Sequence, residues 1–396
     1  MFRVLIAGGG VAALEATLAL RALAEERVSI EVIAPDRDFV YRPLSVAEPF
    51  RVAETRTFPL ASLVEAAGGR LSSGRVTAVN PVERVVLTDE GGHHPYDAVL
   101  VALGASPHEA IDGALTFAGP GSGPALEAVL DDLLAGAVHR IAFAVPTGVT
   151  WPLPLYELAL LTGSFAIDHC AENVEIVVVT PEDRPLALFG AEVTDAIAEL
   201  LEARGIELRA RTTAGSFQDG RLRVAPGGSI EAERVIALPR LEGPWVEGLP
   251  CDRHGFLPID DYCRVGGEPD VFAAGDATQL PLKQGGIAAQ QADTAAAGIA
   301  KLAGAPVELE PFRPVLRGLL MTGMAPRYLR GEPGGKSSAI DTEALWWPAA
   351  KIVGKHLAPF LATKLGLSES EGAAPGGPPG ERPRGRDASP HGAAAG

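Results

Sequence analysis

Cysteine is scarce in this chain: Cys170, Cys251 and Cys263 are the only three in 396 residues. They are scattered and no C-x-x-C occurs, which argues against a disulfide framework, a zinc site and a dithiol redox pair. No stretch of ~18 uninterrupted apolar residues is present, so no segment reads as a membrane span. The first apolar run, Phe2 to Ile6, is short and stops at glycines, so no signal peptide is expected. Basic residues are outnumbered 34 to 50 by acidic ones, a formal charge of −16. Such a surface repels phosphate backbones, so nucleic acid is not an expected partner. The histidines are spread out, His93-His94 in a polar turn and His139 before a strand, with no metal-ligand spacing. What remains is a soluble cytoplasmic protein of two or three domains, 47% apolar and 21% charged.

What is present is organised around FRVLIAGGGVAALE, residues 2–15. A short apolar strand runs into Gly8, Gly9 and Gly10 and then into an Ala/Leu-rich helix to about Glu26. Gly8-x-Gly10-x-x-Ala13 is the dinucleotide fingerprint with alanine in third place. Gly8 permits the tight turn, Gly10 leaves bare backbone for a pyrophosphate, and Ala13 lets helix and strand pack closely. The helix N-terminus offers N–H groups and partial positive charge to phosphates. After the second strand, Val28 to Ile33, the fingerprint calls for a carboxylate to hold the adenosine ribose. Asp36 is the nearest candidate, with a solvated turn residue as the alternative.

Further on, the stretches Arg75–Asn80, Glu83–Thr88 and Tyr96–Leu103 read as strands, and Phe58–Ala67 as a short helix. YDAVLVALGA, 96–105, is continuously apolar and belongs in the middle of a sheet. From Arg140 the order strand, turn, helix, strand repeats: 141–145, then PTGVTWPLPLYELALLTG, then 174–180, helix 191–204 and strand 206–210. This reads as a second nucleotide-type unit inserted into the first, followed by hairpins over 212–238. PDVFAAGDAT, 269–278, is a strand running into Gly275-Asp276, and a helix begins near Gln284. Residues 311–320 suggest a last strand. The expected fold class is therefore α/β, with two Rossmann-like units and a C-terminal helical segment. The boundaries are 1–107 with 239–320 for the first unit, 108–238 for the second, 321–367 for the C-terminal segment, and 368–396 for a Pro/Gly/Ala-rich disordered tail.

The Gly8-x-Gly10 turn, the strand ending at Gly104-Ala105 and VFAAGDAT at 271–278, in that order, resemble the two-dinucleotide-binding-domain flavoproteins of the pyridine nucleotide-disulfide oxidoreductase superfamily. FVYRPLSV (39–46), WPLPLYELALL (151–161) and KQGGIAAQQA (283–292) are similar to the sulfide:quinone reductase and type-II NADH dehydrogenase branch. The resemblance implies FAD on Gly8, Gly10, Val11, Ala12 and Ala13. It also implies contacts to the flavin from Asp36, Arg42, Val76, Gly104, Gly275 and Asp276. A helix whose N-terminus, Gln284 to Ile287, stabilises reduced flavin is expected next to it. Lys283 is the implied charge beside the ring system, with a solvated lysine as the alternative. Thr147, Gly148, Trp151, Tyr156 and Glu157 are expected on the substrate side.

Two departures from the pattern shape the function. The three cysteines match no redox position of the family, so persulfide chemistry is not expected. The second glycine motif would fall on residues 143–148, where only Gly148 survives and Val145 blocks bare backbone, so NAD(P) is doubtful. The reading is an FAD-dependent oxidoreductase passing electrons from a small donor to an acceptor such as a quinone. An NAD(P)H dehydrogenase, a sulfide oxidiser and a flavin electron-transfer subunit are the alternatives. Residues 345–367 carry Trp346, Trp347 and several lysines beside apolar residues. Pro348 and Pro359 divide the segment into two expected short helices. The apolar face either packs on the flavin unit or a second copy in a homo-oligomer, or lies as a peripheral contact on the cytoplasmic face of a membrane.

Overall fold

A computed structural model of the protein describes residues 1–334 and 337–365. The tail expected at 368–396 lies outside the described residues, as do the last two positions of the C-terminal segment. Two all-parallel five-stranded sheets form the frame. The first has the order Val271–Ala273, Ala98–Val101, Phe2–Ala7, Val28–Ala34, Arg70–Ser73. The second has the order Leu115–Thr116, Arg234–Ala237, Arg140–Ala144, Glu175–Val179, Ile206–Arg209. Parallel sheets need cover on both faces, and these strands are apolar accordingly: Ile6, Val32, Leu100 and Phe143 are fully buried.

Helices Val11–Ala24 and Gly285–Leu302 cover one face of the first sheet. Both are rich in small residues, among them Ala12, Ala16, Ala288, Ala292 and Ala296, and these let the two helix axes approach closely. At Gly298 a Cβ would stand 2.7 Å from the Phe272 ring, so only glycine fits there. On the other face lies a three-stranded antiparallel sheet of Val76–Asn80, Val85–Thr88 and His93–Pro95, packed through Val79 and Val86 on Leu5 and Val99. Helices Gly123–Leu134, Leu153–Asp168 and Ala191–Glu202 bury the core of the second sheet. Hairpin strands Thr213–Gln218, Arg221–Ala225 and Gly228–Glu231 stand where hairpins are expected.

The chain leaves the first sheet through Ser106–His108 and returns through Arg240–Glu242. These two crossings pair with each other antiparallel, Ser106 opposite Glu242.

The C-terminal part differs from expectation. Residues 311–320 yield a strand only at Leu316–Leu320, and it belongs to an antiparallel sheet with Arg327–Gly331 and Ser338–Asp341. Two helices are not formed in 345–365. Residues 345–356 run as an irregular strap, and the single helix is Leu357–Lys364. Pro359 sits in its first turn, where an N–H has no intrahelical partner to lose, so it does not break the helix. Trp346 is buried, edge-on to Tyr328 at 5.2 Å, and its indole N–H donates to the Ala350 carbonyl at 3.0 Å. Ile352, Leu357 and Leu361 are also buried. The side chains expected to meet a lipid surface are thus largely spent on the protein's own core. Among the described residues no helix is long and apolar enough to cross a membrane.

A buried carboxylate fixes the strap. Glu15, on the first helix and fully buried, accepts the N–H groups of His356 and Leu357, both at 2.7 Å. It thereby caps the C-terminal helix with negative charge at the positive end of its dipole. Asp293, on the helix Gly285–Leu302, stands beside it. Burial first, and the neighbouring Glu15 second, push the Asp293 carboxyl up to about 8. Glu15 is shifted upward too, by burial. His356, desolvated and next to Lys355, is shifted down.

A carboxyl with a raised folded-state pKa binds a proton that the unfolded chain has already lost. Its stabilising share is full at low pH and is lost as pH rises towards 8. The melting temperature should therefore fall as pH rises from about 5 to about 8, and D293N, neutral throughout, should flatten that fall. Thermal melts of the two proteins across this range check it; identical slopes would show that Asp293 does not carry the effect.

Candidate active site

The carboxyl ends of the two parallel sheets face a common cavity of about 500 Å³. The first turn stands at one side of the first sheet. Gly8 has φ +119°, and a Cβ there would stand 2.2 Å from the Ala102 carbonyl oxygen. Its glycine is thus required by the neighbouring strand as much as by the turn. Gly10 is different: its backbone is extended, and a Cβ would meet nothing within 4 Å. The helix starts directly after it with no side-chain cap, so the N–H groups of Val11, Ala12 and Ala13 are uncommitted at the helix end. Open space over bare backbone at an uncapped N-terminus is the geometry that a pyrophosphate needs.

Gly275 has φ +77° and lies between Ala12 and Ala288, whose Cβ atoms would be 3.3 and 3.2 Å from a Cβ at that position. The turn is held by Gln291, fully buried, whose amide oxygen accepts the Gly275 N–H at 2.8 Å. The Asp276 carboxylate, presented by this turn, lines the cavity and accepts no hydrogen bond from a described residue. Burial shifts its pKa upward, against the pull of Lys283 and Arg42.

Lys283 donates to the carbonyls of Asp276, at 3.1 Å, and Thr278, and its ammonium lies 3.7 Å from the Phe256 ring centroid. Burial lowers its pKa to about 8, and Asp276 and Asp252 oppose that shift. A cation over an aromatic face is attracted to the ring and held in place there. Gln284 caps the following helix: its side-chain oxygen accepts the Ile287 N–H at 2.9 Å and its amide donates to the Arg317 carbonyl at 2.7 Å. Ile287, expected to face a cofactor, is therefore corrected. Its N–H is taken and its side chain is buried, which leaves Gly285 and Gly286 as the uncommitted N–H groups of that end.

Opposite stands an ion pair. Lys351 Nζ donates to Glu157 at 2.6 and 2.8 Å and to the Pro43 carbonyl at 3.1 Å. Their side chains are only 6% and 1% exposed, and both residues line the cavity. Burial shifts Glu157 upward, and Lys351 opposes the shift. The Glu157 carboxylate also accepts the Met321 N–H at 2.8 Å. Sequence reasoning placed Glu157 near the substrate but missed Lys351 as its partner, because the two lie 194 positions apart and no local pattern joins them.

The remaining candidates divide. Arg42, Gly148 and Trp151 line the cavity. Asp36 is exposed just past the strand Val28–Ala34. Gly104, φ +71°, follows Ala98–Val101. Val76 opens the strand Val76–Asn80 with its side chain in the core under the first sheet. Thr147 points to solvent and is not part of the cavity wall, a correction. Tyr156 is a second correction: it is fully buried, outside the cavity, and its hydroxyl donates to Glu182 at 2.7 Å. Helix periodicity explains this, since adjacent residues point about 100° apart and only Glu157 faces the cavity. None of the three cysteines lines the cavity; Cys263 is buried, its thiol pushed up to about 12 by burial.

Known proteins share parts of this sequence and fold. Residues 157–297 match the family model described as pyridine nucleotide-disulphide oxidoreductase. The chain is 26% identical over 296 residues to an NADH dehydrogenase-like protein of Mycobacterium tuberculosis, covering 70% of this chain and 72% of that one. It is also 26% identical over 364 residues to a type II NADH:quinone oxidoreductase of the same organism, covering 81% and 76%. Its fold is similar to that of the sulfide:quinone oxidoreductase of Aquifex aeolicus, with a TM-score of 0.78 at 17% identity, over 86% and 87% of the two chains.

Removing one partner of a buried ion pair strands the other charge, at a cost of about 3–5 kcal/mol. K351M should be destabilised by that order, and the double variant K351M/E157Q should recover most of it. Guanidinium unfolding of the three proteins checks this, and an equally large loss in the double variant would show that the pair is not the cause.

Proposed function

We infer that this chain, a pyridine nucleotide-disulphide oxidoreductase by its matched segment and a two-sheet flavoprotein by its fold, is an FAD-dependent oxidoreductase that passes electrons from a small donor to a quinone-type acceptor. One observation carries the reading. The unpartnered carboxylate of Asp276 and the ammonium of Lys283 line one cavity between the two sheets, and the Gly275 turn that presents Asp276 packs on Ala12, in the first turn of the helix that the open Gly10 leads into.

FAD, when bound, takes up a pair of electrons from a donor and hands it on. The chain's own residues do the rest. Val11, Ala12 and Ala13 offer N–H groups to the pyrophosphate, with Gly8 and Gly10 keeping the turn tight and bare. Asp276 offers its oxygens to hydroxyl groups of the cofactor's sugar chain, and Asp36 stands where the adenosine ribose would lie. Gly275 and Gly104 keep the backbone close. Lys283, together with the helix end at Gly285, supplies positive charge where negative charge collects on reduction. On this reading residues 1–107 and 239–320 form the flavin unit and 108–238 the second unit.

The acceptor reading rests on the wall of the cavity and on the relatives. Trp151, Leu153, Leu319 and Ile352 give it an apolar lining that suits a flat, weakly polar ring. Reduction of a quinone also consumes protons. The Lys351–Glu157 pair and Lys283 are titratable groups on the same wall, placed to deliver them. Two of the relatives named above act on a quinone by name. The positions of Cys170, Cys251 and Cys263 away from the cavity weigh against sulfide as a donor handled by a persulfide. Contact with a bilayer through 345–365 forms no part of the proposal, because Trp346, Ile352, Leu357 and Leu361 are spent in the core.

Gly10→Val tests the cofactor. A branched side chain in the open space should reduce copurified FAD at least tenfold while circular dichroism stays unchanged; full flavin occupancy would place the cofactor elsewhere. The acceptor is tested separately. Enzyme reduced with dithionite and mixed anaerobically with ubiquinone-1 should reoxidise rapidly, and a flavin that stays bleached would remove the quinone from the reading.

A further inference from the structure

We propose that the second parallel sheet does not bind a nicotinamide dinucleotide, because Tyr156 and the 145–152 loop occupy the positions that would hold one, and that the electron donor is not NADH or NADPH. The proposal rests on the flavin reading above and sharpens its donor.

The two sheets invite a direct comparison, since each begins with a parallel strand, a turn, a helix and an adjacent parallel strand. In the first, Phe2–Ala7 is followed by only three residues before the helix begins at Val11. In the second, Arg140–Ala144 is followed by residues 145–152 before the helix begins at Leu153. A pyrophosphate needs bare backbone and free N–H groups at that point. The N–H just past each strand is committed alike, that of Gly8 to the Ile33 carbonyl and that of Val145 to the Val179 carbonyl, both at 2.8 Å, but where the first turn has glycine the second has the branched, fully buried Val145. Proline removes further donors at the helix end. Pro152 caps the helix and Pro154 follows one residue into it, and neither has an N–H. The next N–H, that of Leu155, donates to the Pro152 carbonyl at 2.9 Å. In the first helix three N–H groups are uncommitted; here only that of Leu153 is.

The carboxylate at the ribose position is already engaged from the protein side, through its Oε2. The carboxylate expected just beyond the second strand of such a unit is Glu182, three residues past Val179. Its counterpart in the first unit, Asp36, is exposed and available. Glu182 is engaged: it accepts the Tyr156 hydroxyl at 2.7 Å and the Thr180 hydroxyl at 3.0 Å. Tyr156 and Thr180 are both fully buried, so the partner hydroxyls come from the protein's interior. A tyrosine hydroxyl thus holds the carboxylate that a ribose hydroxyl would use.

The loop has acquired another task. Gly148, Val149, Thr150 and Trp151 line the cavity, and the Thr150 hydroxyl donates to the carbonyl of Pro281, just before Lys283. The Trp151 ring packs on Phe189 at 5.6 Å. This segment ties the second unit to the flavin side and forms a fixed wall. A donor with no nucleotide handle, a small molecule entering the cavity itself, is what such a wall admits.

The test uses FAD-loaded enzyme. Anaerobic mixing with NADH or NADPH up to about 1 mM, the upper end of ordinary KM values, should leave the flavin absorbance unchanged. Equilibrium dialysis with either nucleotide should show no saturable binding. Saturable bleaching or saturable binding overturns the proposal. E182Q gives a second arm: flavin content and reoxidation by ubiquinone-1 should match the parent protein, and addition of NADH should still do nothing. NADH-driven bleaching in the parent that weakens at least tenfold in E182Q would show that this carboxylate holds a ribose, the reverse of what is proposed. Reoxidation by the quinone needs no nucleotide on the second sheet, so its outcome separates a failure of this proposal from a failure of the flavin reading.

Discussion

One ammonium group joins three distant parts of the chain. Lys351 Nζ reaches the carboxylate of Glu157 on a helix of the second sheet and the carbonyl of Pro43 beside the first. It comes from a strap that is pinned again a few residues on, where Glu15 takes the N–H groups of His356 and Leu357. Between these points the Ile352 N–H donates to the Tyr41 hydroxyl at 2.8 Å. Each of these polar groups is at least half-buried, so each needs its partner and the partners fix one path for the strap. The cavity keeps its shape because its far wall is held by charges that cannot leave without a large desolvation cost.

The near wall depends on the opposite kind of residue. Ala12, Gly275 and Ala288 meet with almost no side-chain volume between them, so two helix ends and one turn converge on one place. Gln291 then holds the turn from below. Small residues bring the backbone close, and buried amides fix its direction. A larger side chain at any of the three positions would push the helix ends apart and blunt their combined field.

The sequence made the frame legible because parallel sheets need continuous apolar strands and tight turns, and both leave local marks. The Gly8-to-Ala13 turn, YDAVLVALGA and VFAAGDAT carry those marks within a few residues each. Gly10, Asp276, Lys283 and Trp151 could be singled out for the same reason. What stayed hidden was set by distance or by helix phase. Lys351 meets Glu157 across nearly half the chain, and nothing near either residue announces it. Tyr156 and Glu157 are neighbours in sequence, yet one faces the core and the other the cavity, and their adjacency invited placing both on one side. Composition left the strap at 345–356 open, because paired tryptophans beside lysines suit a water–lipid boundary and an internal seam equally well. Strands Arg327–Gly331 and Ser338–Asp341 are short and half polar, and took their form from pairing with Leu316–Leu320 rather than from their own pattern.

The paired crossings at Ser106–His108 and Arg240–Glu242 have an architectural consequence. The whole of the second sheet hangs from two strands that lie side by side, so its entry and exit are neighbours in space. A module attached in this way can change its own ligand chemistry without altering how the rest of the chain closes. The first sheet receives the same two ends at the same spacing whatever the module holds. A change in what the module holds is then a local edit, and the first sheet carries no structural record of it.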